Sequence, residues 1–142
     1  MDGNHGRRLP STIEDELCHD PDVEFVVVFG SRMEGSSRAS SDFDVAVKFT
    51  DELSSADRFR KHCRLASEVQ ETDTPFVDLS DVETLPLPVA YAAVNGTFVC
   101  GDEEVFETVR ETITSKFEDE RPAIEREQRE LIQRIAEDGL HG

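Results

Sequence analysis

The feature that most constrains this chain is an apolar strand-like segment followed, after a polar loop, by an alternating segment with two aspartates. Residues 25–29 are all apolar, which predicts a buried strand that ends at Gly30. Between residues 43 and 49 apolar and other residues alternate, which predicts a second strand with two distinct faces. Asp42 and Asp44 then lie on the same face of that strand, about 7 Å apart.

Two carboxylates on one strand face, near a Gly-Ser turn, suit metal-assisted phosphoryl chemistry. Mg²⁺ binds carboxylate oxygens together with substrate phosphates, and carboxylates can bridge two ions about 3.5–4 Å apart. Gly30 has no side chain and lets the backbone approach a phosphate closely. Ser31 offers a hydroxyl and an amide at a turn, where backbone amides can bind anions. We therefore expect metal at Asp42 and Asp44, with phosphates at Gly30 and Ser31.

Each half of this pattern has an ordinary explanation when it stands alone. A Gly-Ser pair is usually a turn, and acidic residues on a strand are usually a solvated face. The combination, with ten residues between the two halves and strand patterns on both sides, is much more specific. It favours a functional site.

The run FGSRMEGSSRASSDFDVAV resembles the signature of the DNA polymerase β-like nucleotidyltransferase superfamily. It looks most like the minimal nucleotidyltransferase branch, the MntA-type antitoxins encoded beside HEPN toxins. The resemblance covers roughly residues 10–118, and the last helical segment matches only loosely. It implies a polymerase β-like fold and a nucleotide substrate.

The resemblance also implies a third acidic residue on the next strand, residues 76–80, where Asp78 is the matching position. A carboxylate in an apolar strand is unfavourable unless it is paired or binds metal. Asp81 is the competitor. Residues three apart on a strand point to opposite faces, so only one of the two can join Asp42 and Asp44. The apolar context favours Asp78.

Two arginines, Arg32 and Arg38, lie in the loop between the two strands. Either guanidinium could neutralise charge on a triphosphate. Arg32 directly follows Ser31, as in many relatives with a Gly-Ser-Arg run, and is the stronger candidate for nucleotide binding beside Gly30 and Ser31. A solvated loop arginine is the alternative for both.

The charge of the chain limits its partners. Lysine and arginine total 15 and aspartate and glutamate total 32, which gives a formal charge of −17. This balance disfavours a nucleic-acid partner, whose phosphates are bound by Lys and Arg. A surface that is so acidic and poor in lysine suggests a halophilic protein from a salt-rich cytoplasm, where about 1 M salt shortens the Debye length to about 3 Å. An ordinary acidic protein is the alternative.

Other sequence features predict neither a membrane protein nor a zinc site. The sequence has no long apolar run and no signal peptide, so neither insertion nor export is implied. Cys18, Cys63 and Cys100 form an odd set without a close pair. They are predicted to be reduced and mostly buried, as in a cytosolic protein. No His/Cys spacing typical of zinc appears.

The predicted fold is α/β, a small mixed twisted sheet flanked by helices. We expect a flexible tail at 1–9, a nucleotidyltransferase domain at 10–118 and a C-terminal helix within 119–142. Helical spacing at 54–71 predicts a crossover between the second and third strands. Further elements are expected at 88–94, 97–100, 102–117 and 123–137.

The last two predicted helices are separated by a break or kink at Pro122, since proline disrupts a helix interior. The final helix, residues 123–137, has only a thin apolar stripe. It either folds back on the domain or docks on a partner, and the sequence does not separate these alternatives.

The resulting functional hypothesis is transfer of AMP from ATP to a hydroxyl, with Mg²⁺, in two ions, as cofactor. Asp42 and Asp44 would bind the metal. Asp78 would complete the metal site or accept the proton of the acceptor. The resemblance implies a HEPN ribonuclease toxin as the partner, modified on a tyrosine, so that the protein acts as an antitoxin by adenylylation.

Two alternatives remain from the sequence. The acceptor could be a small aminoglycoside-like polyol, since an acidic surface suits a cationic molecule. The protein could also be a binding module that masks its toxin by contact and has a vestigial site. The presence of all the expected motif residues argues against a vestigial site, because a decayed site should have lost some of them.

Overall fold

The computed structural model describes residues 11–30, 43–70 and 76–139. In chain order the elements are a π-helix at Ile13–Cys18, β1 at Val23–Phe29, β2 at Phe43–Phe49, α1 at Ser55–Glu68, β3 at Val77–Asp81, a 3₁₀ turn at Val82–Thr84, α2 at Leu87–Val94, β4 at Thr97–Gly101 and α3 at Glu103–Gly139. The apolar run and the alternating segment both form strands, as predicted.

The strands form one mixed sheet in the order β3-β2-β1-β4. The strand β1 is antiparallel to both β2 and β4. The strand β2 is parallel to β3, and a parallel pair requires a crossover, which α1 supplies. The predicted α/β class, with a mixed sheet flanked by helices, is confirmed.

The first face of the sheet packs against the π-helix and α1. The alternation predicted for β2 sends Phe43, Val45 and Val47 to this face, where they are fully buried. They join Leu17 of the π-helix and Leu65 of α1 in one apolar cluster. Burial of this stripe fixes which side chains of β2 point to the second face.

The second face packs against α2 and α3. Phe25 of β1 meets Phe106 of α3 with ring centroids 5.1 Å apart in an edge-on contact, a geometry that aromatic pairs prefer. Along this face of β2, Lys48 and Ala46 are buried, whereas Asp44 is only half-buried. The side chains on the second face are therefore less buried towards the start of β2.

The helix α3 passes through Pro122 and spans 37 residues. Of the break or kink predicted at Pro122, the break was therefore wrong, and residue 118 lies inside one helix. Proline removes one amide donor and crowds the preceding turn, but the surrounding residues are mostly Glu, Arg, Ala and Gln, which favour helix. Beyond Pro122, the large apolar side chains of Leu131, Ile132 and Ile135 are exposed.

The prediction that all three cysteines are reduced and mostly buried was also wrong. Cys18 and Cys100 form a disulfide with their Cα atoms 6.0 Å apart, within the usual range for a disulfide. Cys63 is free and exposed. The two bonded residues are 82 positions apart, so their proximity depends on the tertiary fold. Cysteine spacing therefore gives no support for a reducing compartment.

Candidate active site

Asp44 and Asp78 are direct partners in the parallel ladder between β2 and β3. Partner residues on neighbouring strands, about 4.8 Å apart, direct their side chains to the same face of a sheet. Asp44 is half-buried and Asp78 is exposed. The structure thus places two of the predicted site carboxylates side by side, where solvent and ligands can reach them.

Gly30 ends β1 beside this pair of carboxylates. Its neighbour Phe29 is the ladder partner of Asp44. Gly30 has a φ of +99°, a conformation that residues with a side chain rarely adopt. A Cβ atom at this position would collide with the Asp44 carboxylate, lying only 3.0 Å from its Cγ. Glycine is therefore required here by the backbone conformation and by the space that Asp44 occupies.

Asp81 lies on the opposite face of the sheet and has a structural role. It is the ladder partner of Val47 and its residue is only 3% exposed. Its carboxylate lies 2.9 Å from Nε of Arg58 on α1 and accepts a hydrogen bond of 3.0 Å from the amide of Glu83. Asp81 thus stabilises the junction between α1 and the 3₁₀ turn, away from Asp44.

Lys48 lies near the other end of β2, on the same face of the sheet as Asp44. Its Nζ atom is buried and lies 3.1 Å from Asp51, 3.3 Å from Glu24 and 3.7 Å from Glu83. Burial alone lowers the pKa of Lys48, but the hydrogen bond to Asp51 and the charges of Glu83 and Glu24 outweigh burial and raise the pKa. Lys48 is thus held as a cation, neutralised by the surrounding carboxylates, far from Asp44 along the strand. The sequence pattern did not predict this cluster.

Three of the predicted site residues, Ser31, Arg32 and Asp42, lie outside the described residues, as does Arg38. Their assignment to phosphate or metal binding stays a prediction from the sequence. Among the predicted residues that the structure describes, it brings together Gly30, Asp44 and Asp78.

The described carboxylates fit a magnesium site that is completed by substrate. Within residues 11–30, 43–70 and 76–139 no three His, Cys, Asp or Glu side chains form a metal-binding group. Mg²⁺ commonly uses only one or two carboxylates and takes its other ligands from phosphates and water. Asp44 and Asp78 provide two accessible carboxylates on adjacent strands, which is the chemistry that this ion needs.

Comparison with known protein families identifies the family of this chain. Residues 11–105 match the model of the family described as polymerase beta, nucleotidyltransferase. The chain belongs to the polymerase beta nucleotidyltransferase family. The matched region contains β1 to β4 and all six predicted site residues, so the enzyme class is that of a nucleotidyltransferase.

Solved structures from toxin–antitoxin systems share the fold of this nucleotidyltransferase. A toxin–antitoxin structure with AMP-PNP is similar at a TM-score of 0.57 and 21% identity, over 89% of this chain and 94% of the other. An MntA–HepT toxin–antitoxin structure is similar at a TM-score of 0.53 and 20% identity, over 89% of this chain and 92% of the other. The structure of a tri-AMPylated Shewanella oneidensis HEPN toxin in complex with an MNT antitoxin is similar at a TM-score of 0.53 and 20% identity. The match covers 89% of this chain and 91% of the other.

Two further findings concern curated sequence relatives and membrane-spanning helices. No curated protein matches the chain significantly in sequence. In the part of the chain that the structure describes, none of the helices combines the length and the apolar character needed to cross a membrane.

Proposed function

We propose that this nucleotidyltransferase transfers AMP from ATP to a tyrosine hydroxyl of a HEPN toxin and so acts as its antitoxin. The observation that carries the proposal is the register pair Asp44–Asp78 beside Gly30. The solved structures of similar fold support the partner and the nucleotide, because they include a complex with AMP-PNP and an AMPylated HEPN toxin with its MNT antitoxin.

In this proposal the carboxylates of Asp42, Asp44 and Asp78 would hold Mg²⁺, expected as two ions, together with the triphosphate. The bound metal would supply neutralisation of charge on the phosphates and orientation of the phosphoryl group. Gly30, Ser31 and Arg32 hold the β and γ phosphates.

Asp78 has a second role in the proposed reaction. The acceptor oxygen bonds to the α-phosphorus, the bond from that phosphorus to the bridging oxygen breaks, and pyrophosphate leaves. Asp78 takes the proton from the acceptor hydroxyl. Its exposed carboxylate, next to the half-buried Asp44, can reach an incoming group. Catalysis then depends mainly on positioning and charge neutralisation, as in other phosphoryl transfers.

The C-terminal half of α3, residues 119–139, is proposed to dock on the toxin. Leu131, Ile132 and Ile135 are 50%, 66% and 60% exposed, which is unusual for three large apolar side chains within five residues of one helix. A partner helix could cover them in a helix–helix contact. The domain itself occupies residues 10–118 in this proposal.

A salt-rich cytoplasm is the proposed setting. The support is the formal charge of −17, since self-repulsion of this size is screened at high ionic strength.

The test incubates the purified protein with the product of the adjacent gene, taken as the candidate HEPN toxin, with ATP and Mg²⁺ at high salt, and records the intact mass of both proteins. We expect the toxin to gain AMP and its ribonuclease activity to fall. The double variant Asp44→Ala/Asp78→Asn should add no mass. A tight complex without added mass would instead indicate an antitoxin that acts by binding. If neither complex nor mass change occurs, a small-molecule acceptor becomes the better hypothesis.

A further inference from the structure

We propose that Phe76 is a positioning residue that contacts the acceptor segment of the protein substrate, which enters the site over β3. This inference rests on the proposed function and deepens it. The acceptor then arrives from the β3 side of the site, where it contacts the ring of Phe76.

Phe76 lies immediately before β3, on the same face as Asp78. Its carbonyl accepts a hydrogen bond of 3.0 Å from the amide of Phe43, so the parallel ladder already includes it. The next residue, Val77, is buried on the first face of the sheet. Strand alternation therefore directs Phe76 to the second face, about 7 Å along the strand from Asp78.

The side chain of Phe76 is 56% exposed. Single exposed apolar residues are common and need no explanation. Among the large exposed apolar side chains of the described residues, however, Phe76 is the one that belongs to the sheet edge next to the paired carboxylates. Its position, and not its exposure alone, makes it a candidate for substrate contact.

The order of the strands gives the direction of attack. The strand β2, with Asp44, lies between β1, which Gly30 directly follows, and β3, with Asp78. If Gly30 holds the β and γ phosphates, the leaving pyrophosphate is on the β1 side of Asp44. Attacking and leaving oxygens lie roughly in line in phosphoryl transfer. The acceptor hydroxyl must therefore approach from the β3 side, where Asp78 and Phe76 stand.

The backbone edge of β3 is already occupied, which determines how a partner can bind there. Nε2 of His62 lies 2.7 Å from the carbonyl oxygen of Leu79, and the amide of Val77 donates to Oε1 of Gln70 at 2.8 Å. A partner strand therefore cannot simply extend the sheet at these groups. Contact with the acceptor has to use side chains on the face, of which Phe76 is the apolar one next to Asp78.

The chemistry of phenylalanine suits a positioning role. Its ring has no donor, acceptor or titratable group, so it takes no part in proton transfer. An aromatic ring packs well against another ring in offset or edge-on geometry, and a tyrosine acceptor presents such a ring next to its hydroxyl. The competing ligand for the same ring is the adenine base of ATP, and separate KM values for ATP and for the toxin distinguish the two.

The test compares Phe76→Ala with Phe59→Ala in steady-state AMP transfer to the intact toxin. Phe59 is a matched control, since it is 67% exposed and lies on α1, which covers the other face of the sheet. We expect Phe76→Ala to lower kcat/KM for the toxin by about five- to tenfold, the effect of one lost aromatic contact. In Phe76→Ala, KM for ATP should stay within twofold of the wild-type value. Phe76→Tyr, which keeps an aromatic ring, should retain wild-type activity. Thermal unfolding of each variant reports on folding.

Each outcome decides a different question. An increase in KM for ATP, with KM for the toxin unchanged, would assign Phe76 to the adenine base and overturn the inference. Equal kinetics for Phe76→Ala and the wild type would overturn the inference and leave the proposed function intact. If the wild type transfers no AMP to the toxin, the proposed function fails first, and the inference fails with it.

Discussion

Asp78 and Asp81 are the same type of residue, three positions apart, and the structure gives them opposite surroundings. Asp78 is exposed beside Asp44, whereas Asp81 is buried against Arg58. The apolar residues on both sides of Asp78 favour it over Asp81 as the site residue, and the structure agrees with that choice. The alternation of β3 sends one of the two to each face of the sheet.

Neutralising these two aspartates should therefore have opposite effects. We expect Asp78→Asn to abolish AMP transfer with an unchanged unfolding midpoint, since an exposed carboxylate contributes little to stability. Asp81→Asn should lower the free energy of unfolding by about 1.5–3 kcal/mol, the typical value of a hydrogen bond to a charged group, and keep the activity of the folded fraction. Urea denaturation measures the free energy of unfolding, and an AMP-transfer assay measures the activity. A loss of activity in Asp81→Asn, with Asp78→Asn active, would exchange their roles.

The absence of a side chain at Gly30, just after β1, leaves room for the Asp44 carboxylate. In Gly30→Ala the new methyl group would meet the Asp44 carboxylate, and the φ of +99° would be strained, by about 1–3 kcal/mol. We expect kcat/KM to fall about 100-fold, because displacement of a catalytic group by about 1 Å has effects of that size.

Gly101 provides the control for Gly30→Ala. It also has a positive φ, +118°, and a Cβ there would lie 2.5 Å from Cα of Phe25, but no site carboxylate is near. Gly101→Ala should destabilise the fold without the specific loss of activity. Equal losses of activity in both variants would show that Gly30 acts through stability alone.

At the scale of elements, the sequence predicted those whose pattern is local. The apolar run of β1, the alternation of β2 and the helical spacing of α1 each depend on neighbouring residues, and each element formed where expected. Of the predicted break or kink at Pro122, the break does not occur, because the helix-forming residues around Pro122 outweigh one unfavourable residue. The family resemblance placed a third acidic residue on β3, and its apolar context favoured Asp78. The register that pairs Asp78 with Asp44 was not predicted, since the register of a parallel pair depends on the crossover through α1.

The exposed part of α3 should contribute to partner binding and little to the stability of the domain. We expect Leu131→Glu/Ile135→Glu to weaken the complex with the toxin about tenfold or more, as loss of buried apolar contacts at an interface does. Its unfolding midpoint should match that of the wild type. Gln128→Glu/Gln133→Glu introduces the same two charges at exposed sites of α3 and serves as the control. Calorimetric Kd values that do not differ among the three proteins would exclude this surface from the interface.

At the scale of the whole molecule, the Cys18–Cys100 disulfide joins the π-helix to β4. It closes a long stretch of chain, so it restricts the unfolded state strongly, and removal of such a bond typically lowers stability by about 2–4 kcal/mol. No local sequence signal marks it, because its two halves meet only after the sheet has formed.

We expect reductant, or Cys18→Ala/Cys100→Ala, to lower the urea midpoint of unfolding. Cys63→Ala should not, since Cys63 is free and exposed. In the native oxidised protein a thiol reagent should label Cys63 alone. Labelling of three thiols without denaturant, or a midpoint that does not change with reductant, would contradict the assigned disulfide.

In the proposed mechanism Asp44 and Asp78 together hold the metal–nucleotide complex. The most direct measurement is binding of Mn²⁺, a spectroscopic substitute for Mg²⁺, in the presence of AMP-PNP, followed by electron paramagnetic resonance. We predict that Asp44→Asn and Asp78→Asn each weaken Mn²⁺ binding by about tenfold or more. Asp119→Asn, at an exposed site on α3, should bind as the wild type does. Wild-type affinity in both Asp44→Asn and Asp78→Asn would contradict the claim.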